Sequence, residues 1–244
     1  EGIDLDSLAD SLQRFPIKAC WFMSSLQNPL GASMSDAKKK QLYALLKQHQ
    51  VPMIEDDVYS ELYFSAKPPR PVKSFDIDGL VMHCGSFSKC LAPGYRVGWV
   101  AAGRFAEQVS RLKLMTTISP SVPAQAALAD YLQHGGYDRH LRKLRHALES
   151  QQRAMLASAA RHFPRETRVS RPNGGYFLWF EFPGRVDSLQ LFQHALAQGI
   201  SLAPGPIFSA NRHYRNCARL NYGHPWDEPS EQAMATLGRL IAAF

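Results

Sequence analysis

The chain lacks long apolar runs, has few cysteines and carries no familiar metal or nucleotide signature, and each absence narrows what it can be. No stretch approaches the roughly 20 apolar residues that a membrane helix needs, so no membrane partner is expected. The N-terminus shows no basic segment followed by an apolar one, hence no visible signal peptide. Only four cysteines occur (Cys20, Cys84, Cys90, Cys217), widely spread and without a CxxC pair. That pattern speaks against structural zinc, any other metal site and a disulfide framework, and fits reduced thiols in a cytoplasm. Walker loops, HExxH and GxGxxG are all missing. So are internal repeats and low-complexity tracts.

What is present is a globular composition. With 45% hydrophobic and 20% charged residues over 244 positions, the chain can bury one large core or two modest ones. The net charge of +7 is concentrated locally: Arg139, Arg142, Lys143, Arg145, Arg153, Arg161, Arg165 and Arg168 crowd residues 139–168. Such a stripe could meet nucleic acid. It reads more simply as the solvated face of a long helix. The first residue is Glu1, not methionine, and DLDSLADSL reads as the inside of a domain. The expectation is a fragment of a longer protein.

Along the chain, IKACWFM (17–23) suits a buried strand, followed by the turn QNPLG. A helix is predicted from Ser35 to His49, with Leu42, Leu45 and Leu46 on one face. Further strands are predicted at 51–54, 80–84 and 96–103, then helices near 104–115, 122–133 and 137–162. Strands separated by helices or long crossovers imply an α/β fold with a mostly parallel, doubly wound sheet. Beyond residue 148 the order changes to a strand in PNGGYFLWFEF, a helix at 187–198, short strands in ISLAPG and CARLNY, and a helix at 229–243. Two domains follow: a large one over 1–148 and a smaller α+β one over 149–244.

Ligands of doubly wound sheets collect beyond the carboxyl ends of strands, and Asp56 and Lys89 both stand at or past such ends. Lysine is a covalent nucleophile where its amine is deprotonated, typically forming Schiff bases. Around Lys89, the stretch GSFSKCLAPGYRVGW (85–99) gathers Ser86, Ser88 and Arg96, which could bind a phosphate. Asp56 offers a carboxylate for a ring nitrogen, Tyr59 a hydroxyl and Asn28 an amide. These are the parts that pyridoxal 5′-phosphate (PLP) requires.

In order and at these intervals, QNPLG, EDDVYSEL, GSFSKCLAPGYRVGW, NGGYFLWF and CARLNYG resemble the fold-type I PLP-dependent aminotransferases. The resemblance covers nearly the whole chain. It is nearest to the aminotransferase-like domain of the MocR group of GntR transcription regulators. It implies that Lys89 carries the cofactor as a Schiff base, that Asp56 pairs with the pyridine nitrogen, and that Asn28 and Tyr59 contact the ring oxygen. Asp57 is one residue out of register. The resemblance further implies that Ser86, Ser88 and Arg96 hold the phosphate and that Arg219 clamps a substrate carboxylate, with Asn28 nearby. Lys89, Asp56 and Tyr59 are then the catalytic set. Leu30 stands where the family has Thr. The family's glycine-rich phosphate loop and ring-stacking aromatic lie upstream of where this chain begins, which makes the large domain incomplete at its N-terminus.

Alternative readings remain for single residues. A lone lysine after serines is usually a surface cation, Asp56 could cap a helix, Asn28-Pro29 could be a plain turn, and Arg219 could face solvent. Trp179, Phe177 and Phe180 read as core. The SxxK of Ser86 and Lys89 also matches serine acylases, but the SDN and KTG segments that chemistry needs are missing. Two functions share the PLP reading. One is the ligand-sensing part of a cytoplasmic MocR/GntR-type regulator, dimeric, binding DNA through an upstream domain absent from this chain. The other is a free-standing aminotransferase passing an amino group between an amino acid and a 2-oxo acid.

Overall fold

The computed structural model describes residues 2–244. The chain forms two compact units: one runs to Gln27 and resumes over Ala32–Leu144, and the other holds Asn28–Gly31 and Arg145–Phe244.

The first unit is built on a four-stranded sheet, β1 (Cys20–Phe22), β2 (Met53–Asp56), β3 (Val81–Ser86) and β4 (Gly98–Ala101), in that spatial order. Helix α1 (Leu5–Arg14) was not anticipated. It starts where Asp4 Oδ1 accepts the Ser7 N–H at 2.9 Å, and it buries Leu8 and Leu12 one turn apart. Helix α2 (Asp36–Gln48) is capped by Ser35, whose Oγ accepts the Lys38 N–H at 3.2 Å. Its buried stripe is Lys39, Leu42, Tyr43 and Leu46, at helical spacing. Leu42 and Leu46 pack with Met53, Val72, Leu80 and Val81 into the core of this unit.

β1, β2 and β3 are parallel, as the crossover spacing implies, but β4 runs antiparallel to β3. The reason is the length of the connection. A parallel return needs a crossover of about a dozen or more residues, usually helical. The link over 87–97 holds only a short 3₁₀ turn at Pro93–Tyr95. Two glycines let the strands close there. A Cβ on Gly98 would lie 2.8 Å from the Gly85 carbonyl oxygen, and one on Gly85 would lie 2.4 Å from the Trp99 ring. Helices α3 (Ala106–Thr117) and α4 (Val122–Gln133) follow.

Helix α5 (Gly136–His162) carries the chain from the first unit into the second. It buries Leu141, Leu148, Gln152, Met155 and Ala159. On its polar side Arg153 pairs with Glu149, and Arg161 with Glu231. The second unit has an antiparallel sheet of β5 (Arg168–Val169), β6 (Phe177–Glu181), β7 (Ala203–Pro204) and β8 (Cys217–Asn221), ordered β5-β6-β8-β7. Phe177, Leu178, Trp179 and Phe180 of β6 are all buried, in keeping with a core strand. Helices α6 (Ser188–Leu196) and α7 (Glu228–Ala242) complete it, the latter starting at an Asp227 cap.

Candidate functional site

In the first unit, two parallel strands end side by side and deliver chemistry to one rim. Asp56 closes β2 and Ser86 closes β3. The register sets Asp56 opposite Cys84, so strand alternation puts Asp56, Cys84 and Ser86 on the same face. Asp56 Oδ2 accepts a long hydrogen bond from the Trp21 indole N–H, at 3.4 Å. Its other oxygen, Oδ1, is buried and accepts none among the described residues. Burial pushes the Cys84 thiol up, and the carboxylates of Asp56 and Glu55 act in the same direction, which disfavours its thiolate.

The loop after β3 gathers the remaining groups. Ser88 N–H donates to Ser86 Oγ at 3.0 Å. Arg96 Nη1 donates to Ser88 Oγ at 3.1 Å and to the Pro93 carbonyl at 3.2 Å. Arg96 adopts φ +53°, the left-handed region that costs a non-glycine residue about 1–2 kcal/mol. A strained backbone that aims a guanidinium at a serine hydroxyl is a common signature of a binding loop. Lys89 is exposed, and its Nζ lies 5.9 Å from the ring centre of Tyr59, which is buried.

Behind the rim lies a buried polar brace. Glu55 accepts from Ser24 Oγ at 2.5 Å and from the backbone N–H groups of Val72 and Lys73 at 2.7 and 2.9 Å. Lys39 donates to Ser25 Oγ and the Arg70 carbonyl at 2.7 and 2.6 Å. Burial lowers the Lys39 ammonium's pKa, while Glu55, Asp57 and Asp36 pull it back up. These bonds fix the ends of β1 and β2 relative to the 70–73 turn.

Asn28 and Arg219 form a second group, in the second unit, although 191 residues separate them. Arg219 Nη1 donates to Asn28 Oδ1 at 2.6 Å. The guanidinium sits over two rings, 5.1 Å from Phe177 and 5.2 Å from Phe208. Cation–π contacts on both rings restrict its plane. The turn that carries Asn28 is itself seated: a Cβ on Gly31, at φ +70°, would lie 2.6 Å from Pro172. Pro172 is pinned in turn, because Gln152 Nε2 donates to its carbonyl at 2.9 Å and to Tyr222 Oη at 3.2 Å. Tyr222 Oη donates to the Gly174 carbonyl at 3.1 Å, and burial pushes its phenol well up, keeping it a donor.

The structure therefore gathers Asp56, Tyr59, Ser86, Ser88, Lys89 and Arg96 in one unit, and Asn28 with Arg219 in the other. Sequence reasoning missed Trp21, Gln152, Tyr222 and Phe208. It also assigned Phe177 to the core alone, whereas Phe177 is buried and flanks Arg219. Strand alternation in β1 could have flagged Trp21, which pairs with Ile54. Nothing local could have flagged the others. Against PLP the donors and acceptors fit. Asp56 Oδ1 lacks the donor that a ring N–H supplies, and the Ser86, Ser88 and Arg96 groups suit a phosphate.

Comparison with known proteins follows the same line. The model of aminotransferase class I and II matches residues 1–236. The HTH-type transcriptional regulator YdcR of Escherichia coli is 48% identical over 241 residues, covering 99% of this chain and 52% of that protein. Aromatic-amino-acid aminotransferase 1 of Thermococcus litoralis is 30% identical over 99% of this chain and 59% of its own length. The chain thus spans about half the length of the curated relatives it matches. Among solved structures, the α-aminoadipate aminotransferase LysN of Thermus thermophilus, complexed with N-(5′-phosphopyridoxyl)-L-leucine, superposes with a TM-score of 0.93 at 30% identity. It covers all of this chain and 63% of LysN. With the fold, the strand-end carboxylate and the SFSK loop in place, the chain belongs to the aminotransferase class I and II family.

Proposed function

We propose that this chain binds PLP in its first unit and serves as the ligand-sensing part of a MocR/GntR-type transcription regulator. The observation that carries the cofactor reading is the buried, unpartnered Oδ1 of Asp56 at the end of β2. An ionised carboxylate oxygen held out of water is costly without a donor, and a protonated ring nitrogen is one. PLP supplies an electrophilic aldehyde and an electron-accepting ring. The chain's residues do the rest. Lys89 bonds the cofactor and moves a proton at the ligand's α carbon, while Asp56 keeps a proton on the ring nitrogen. Tyr59 binds the ring oxygen. Ser86, Ser88 and Arg96 bind the phosphate. Arg219, oriented by Asn28, takes the carboxylate of an amino acid or 2-oxo acid.

The regulator reading over a metabolic one is supported by 48% identity to an HTH-type regulator against 30% to an aminotransferase. In it the protein is a cytoplasmic homodimer, and DNA is held by a winged-helix domain outside these residues. A free-standing aminotransferase would use the same side chains, and the 30% relative favours that second reading. The test is borohydride reduction of the PLP-loaded protein followed by peptide mapping. A pyridoxyl group on Lys89 is expected; label on another lysine, or none, refutes the assignment. Release of 2-oxo acid on adding amino acids at rates typical of enzymes, about 1 s⁻¹ or faster, would favour the metabolic reading.

A further inference from the structure

A cavity of about 310 Å³ lies wholly within the second unit and takes in none of the residues assigned to the cofactor or to the ligand carboxylate. That volume is at the lower end of small-molecule pockets. The walls are the C-terminal half of α5, the turn that follows it and the β5–β6 pair. Leu156, Ala160, Pro164 and Val169 line it and each keeps some exposure, so a guest can reach apolar surface. Phe163 and Phe180 are buried behind them, edge-on with ring centres 5.4 Å apart. Strand alternation turns Phe180 to the sheet face opposite Trp179 and Arg219. Arg165 and Arg171 also line the cavity, while among the described residues no acidic side chain does. Both arginines are exposed, and among the described residues neither makes an ion pair or a side-chain hydrogen bond. The acids nearest in the chain have other partners: Glu166 pairs with Arg185 at 4.0 Å and Glu181 with Arg168 at 3.8 Å. The backbone that presents the two arginines is fixed. Thr167 N–H donates to the Pro164 carbonyl at 2.9 Å and closes the turn that carries Arg165. Ser170 N–H donates to the Trp179 carbonyl at 2.9 Å, and Gln152 holds the Pro172 carbonyl at 2.9 Å, so Arg171 stands between two anchored residues.

We infer that this cavity is a second ligand site, selective for a small organic carboxylate with a compact apolar body. The body would cover the apolar walls, and the carboxylate would take guanidinium N–H bonds at the mouth. The nearby end of α5 contributes about half a negative charge, against two whole positive ones. A cationic analogue would meet two like charges and no lining carboxylate. A neutral analogue would gain the apolar contact alone, and a bare anion the charge alone. The inference does not depend on PLP, since the lining residues lie outside the groups assigned to the cofactor.

The test is calorimetric titration of the full chain with four probes: 3-phenylpropionate, 3-phenyl-1-propanol, N,N-dimethylphenethylamine and acetate. None of them can condense with an aldehyde, so none reports on the Lys89 chemistry. The aryl carboxylate is expected to bind with a Kd on the order of 1 mM, about tenfold or more tighter than the alcohol or acetate. The amine should not bind. Replacing both arginines, Arg165→Gln with Arg171→Gln, should weaken the carboxylate about tenfold or more, and each alone about two- to fivefold. Ala160→Phe, at an exposed helical position, fills the cavity while keeping both arginines, and should weaken binding about fivefold or more. Arg219→Lys should leave this binding in place, which separates it from the carboxylate clamp proposed above. Circular dichroism and melting check each variant's fold. If Ala160→Phe does not fold, the probe series and the arginine pair decide. Equal binding of alcohol and carboxylate, undiminished binding by the folded double variant or by folded Ala160→Phe, loss of binding in folded Arg219→Lys, or no saturable heat up to about 10 mM carboxylate would each overturn the inference.

Discussion

Replacing Asn28 by Ala removes the side-chain oxygen to which Arg219 Nη1 donates at 2.6 Å. Hydrogen bonds to a charged group contribute about 1.5–3 kcal/mol, and because both residues are only partly buried the low end applies. Arg219→Lys removes the fork altogether, along with the planar contacts to Phe177 and Phe208. If Asn28 acts on the ligand carboxylate by orienting Arg219, its loss matters only while the arginine is present. Each single variant should then weaken amino-acid binding about tenfold, while the double variant should bind little worse than Arg219→Lys alone. The coupling energy would be about 1.5 kcal/mol, well above the roughly 0.3–0.5 kcal/mol scatter of independent sites. Calorimetry with an amino acid on the PLP-loaded protein measures it, and thermal melting of the same four proteins reports folding separately. Any direct role of Asn28 toward the cofactor shows up as a PLP affinity change that Arg219→Lys does not share. Additive losses, within about 0.5 kcal/mol, would refute the orienting role.

Two further outcomes follow from single groups. Asp56→Asn should weaken PLP about ten- to a hundredfold yet leave the melting temperature of the unloaded protein the same or higher, because Oδ1 now lacks a partner; a clear drop in melting temperature would mean that the carboxylate is structural. Glu231 is held down to about 2, first by the Arg161 guanidinium and then by the His162 ring. A depressed carboxyl stabilises the fold fully above its ordinary value of 4.5 and loses that contribution as pH falls toward 2. The melting gap between wild type and Glu231→Gln should therefore be widest near about pH 6 and narrow by about pH 3; a gap independent of pH would refute the linkage.

Much of the first unit was legible because local signals agree with the fold. Ser35 caps α2 and Leu42 and Leu46 share its buried face, so the helix predicted from Ser35 to His49 differs from the observed one by only its caps. Helix α1 carries the same kind of signal, an Asp4 cap with Leu8 and Leu12 a turn apart, within a segment too short for its periodicity to stand out. The antiparallel turn of β4 depends on connection length and on close approach at Gly85 and Gly98, which residue periodicity does not reveal. Strand β5 is two residues long, too short for alternation to register. Within the candidate site, the strand-end groups were legible because Asp56, Ser86 and Lys89 lie within a few residues of strand ends. The Asn28–Arg219 bond spans 191 residues, and no pattern within either segment encodes it.

The run Glu55-Asp56-Asp57 shows why three like charges can stand together without redundancy. Alternation along β2 turns Glu55 and Asp56 to opposite faces, and Asp57, one residue past the strand end, donates its N–H to the Cys84 carbonyl. Glu55 is fully buried and satisfied by Ser24 and two backbone N–H groups, so its charge braces the 70–73 turn. Asp57 has one oxygen on His83 and one buried oxygen that accepts no hydrogen bond among the described residues. Asp56 accepts a long bond from Trp21 at one oxygen, and its other, buried oxygen accepts none among the described residues. Burying a carboxylate without a full set of donors costs stability, and a fold built for stability alone would not do so twice in adjacent residues. Glu55 therefore belongs to the scaffold, Asp57 is held by His83, and the incomplete shell of Asp56 is what a protonated ring nitrogen would complete.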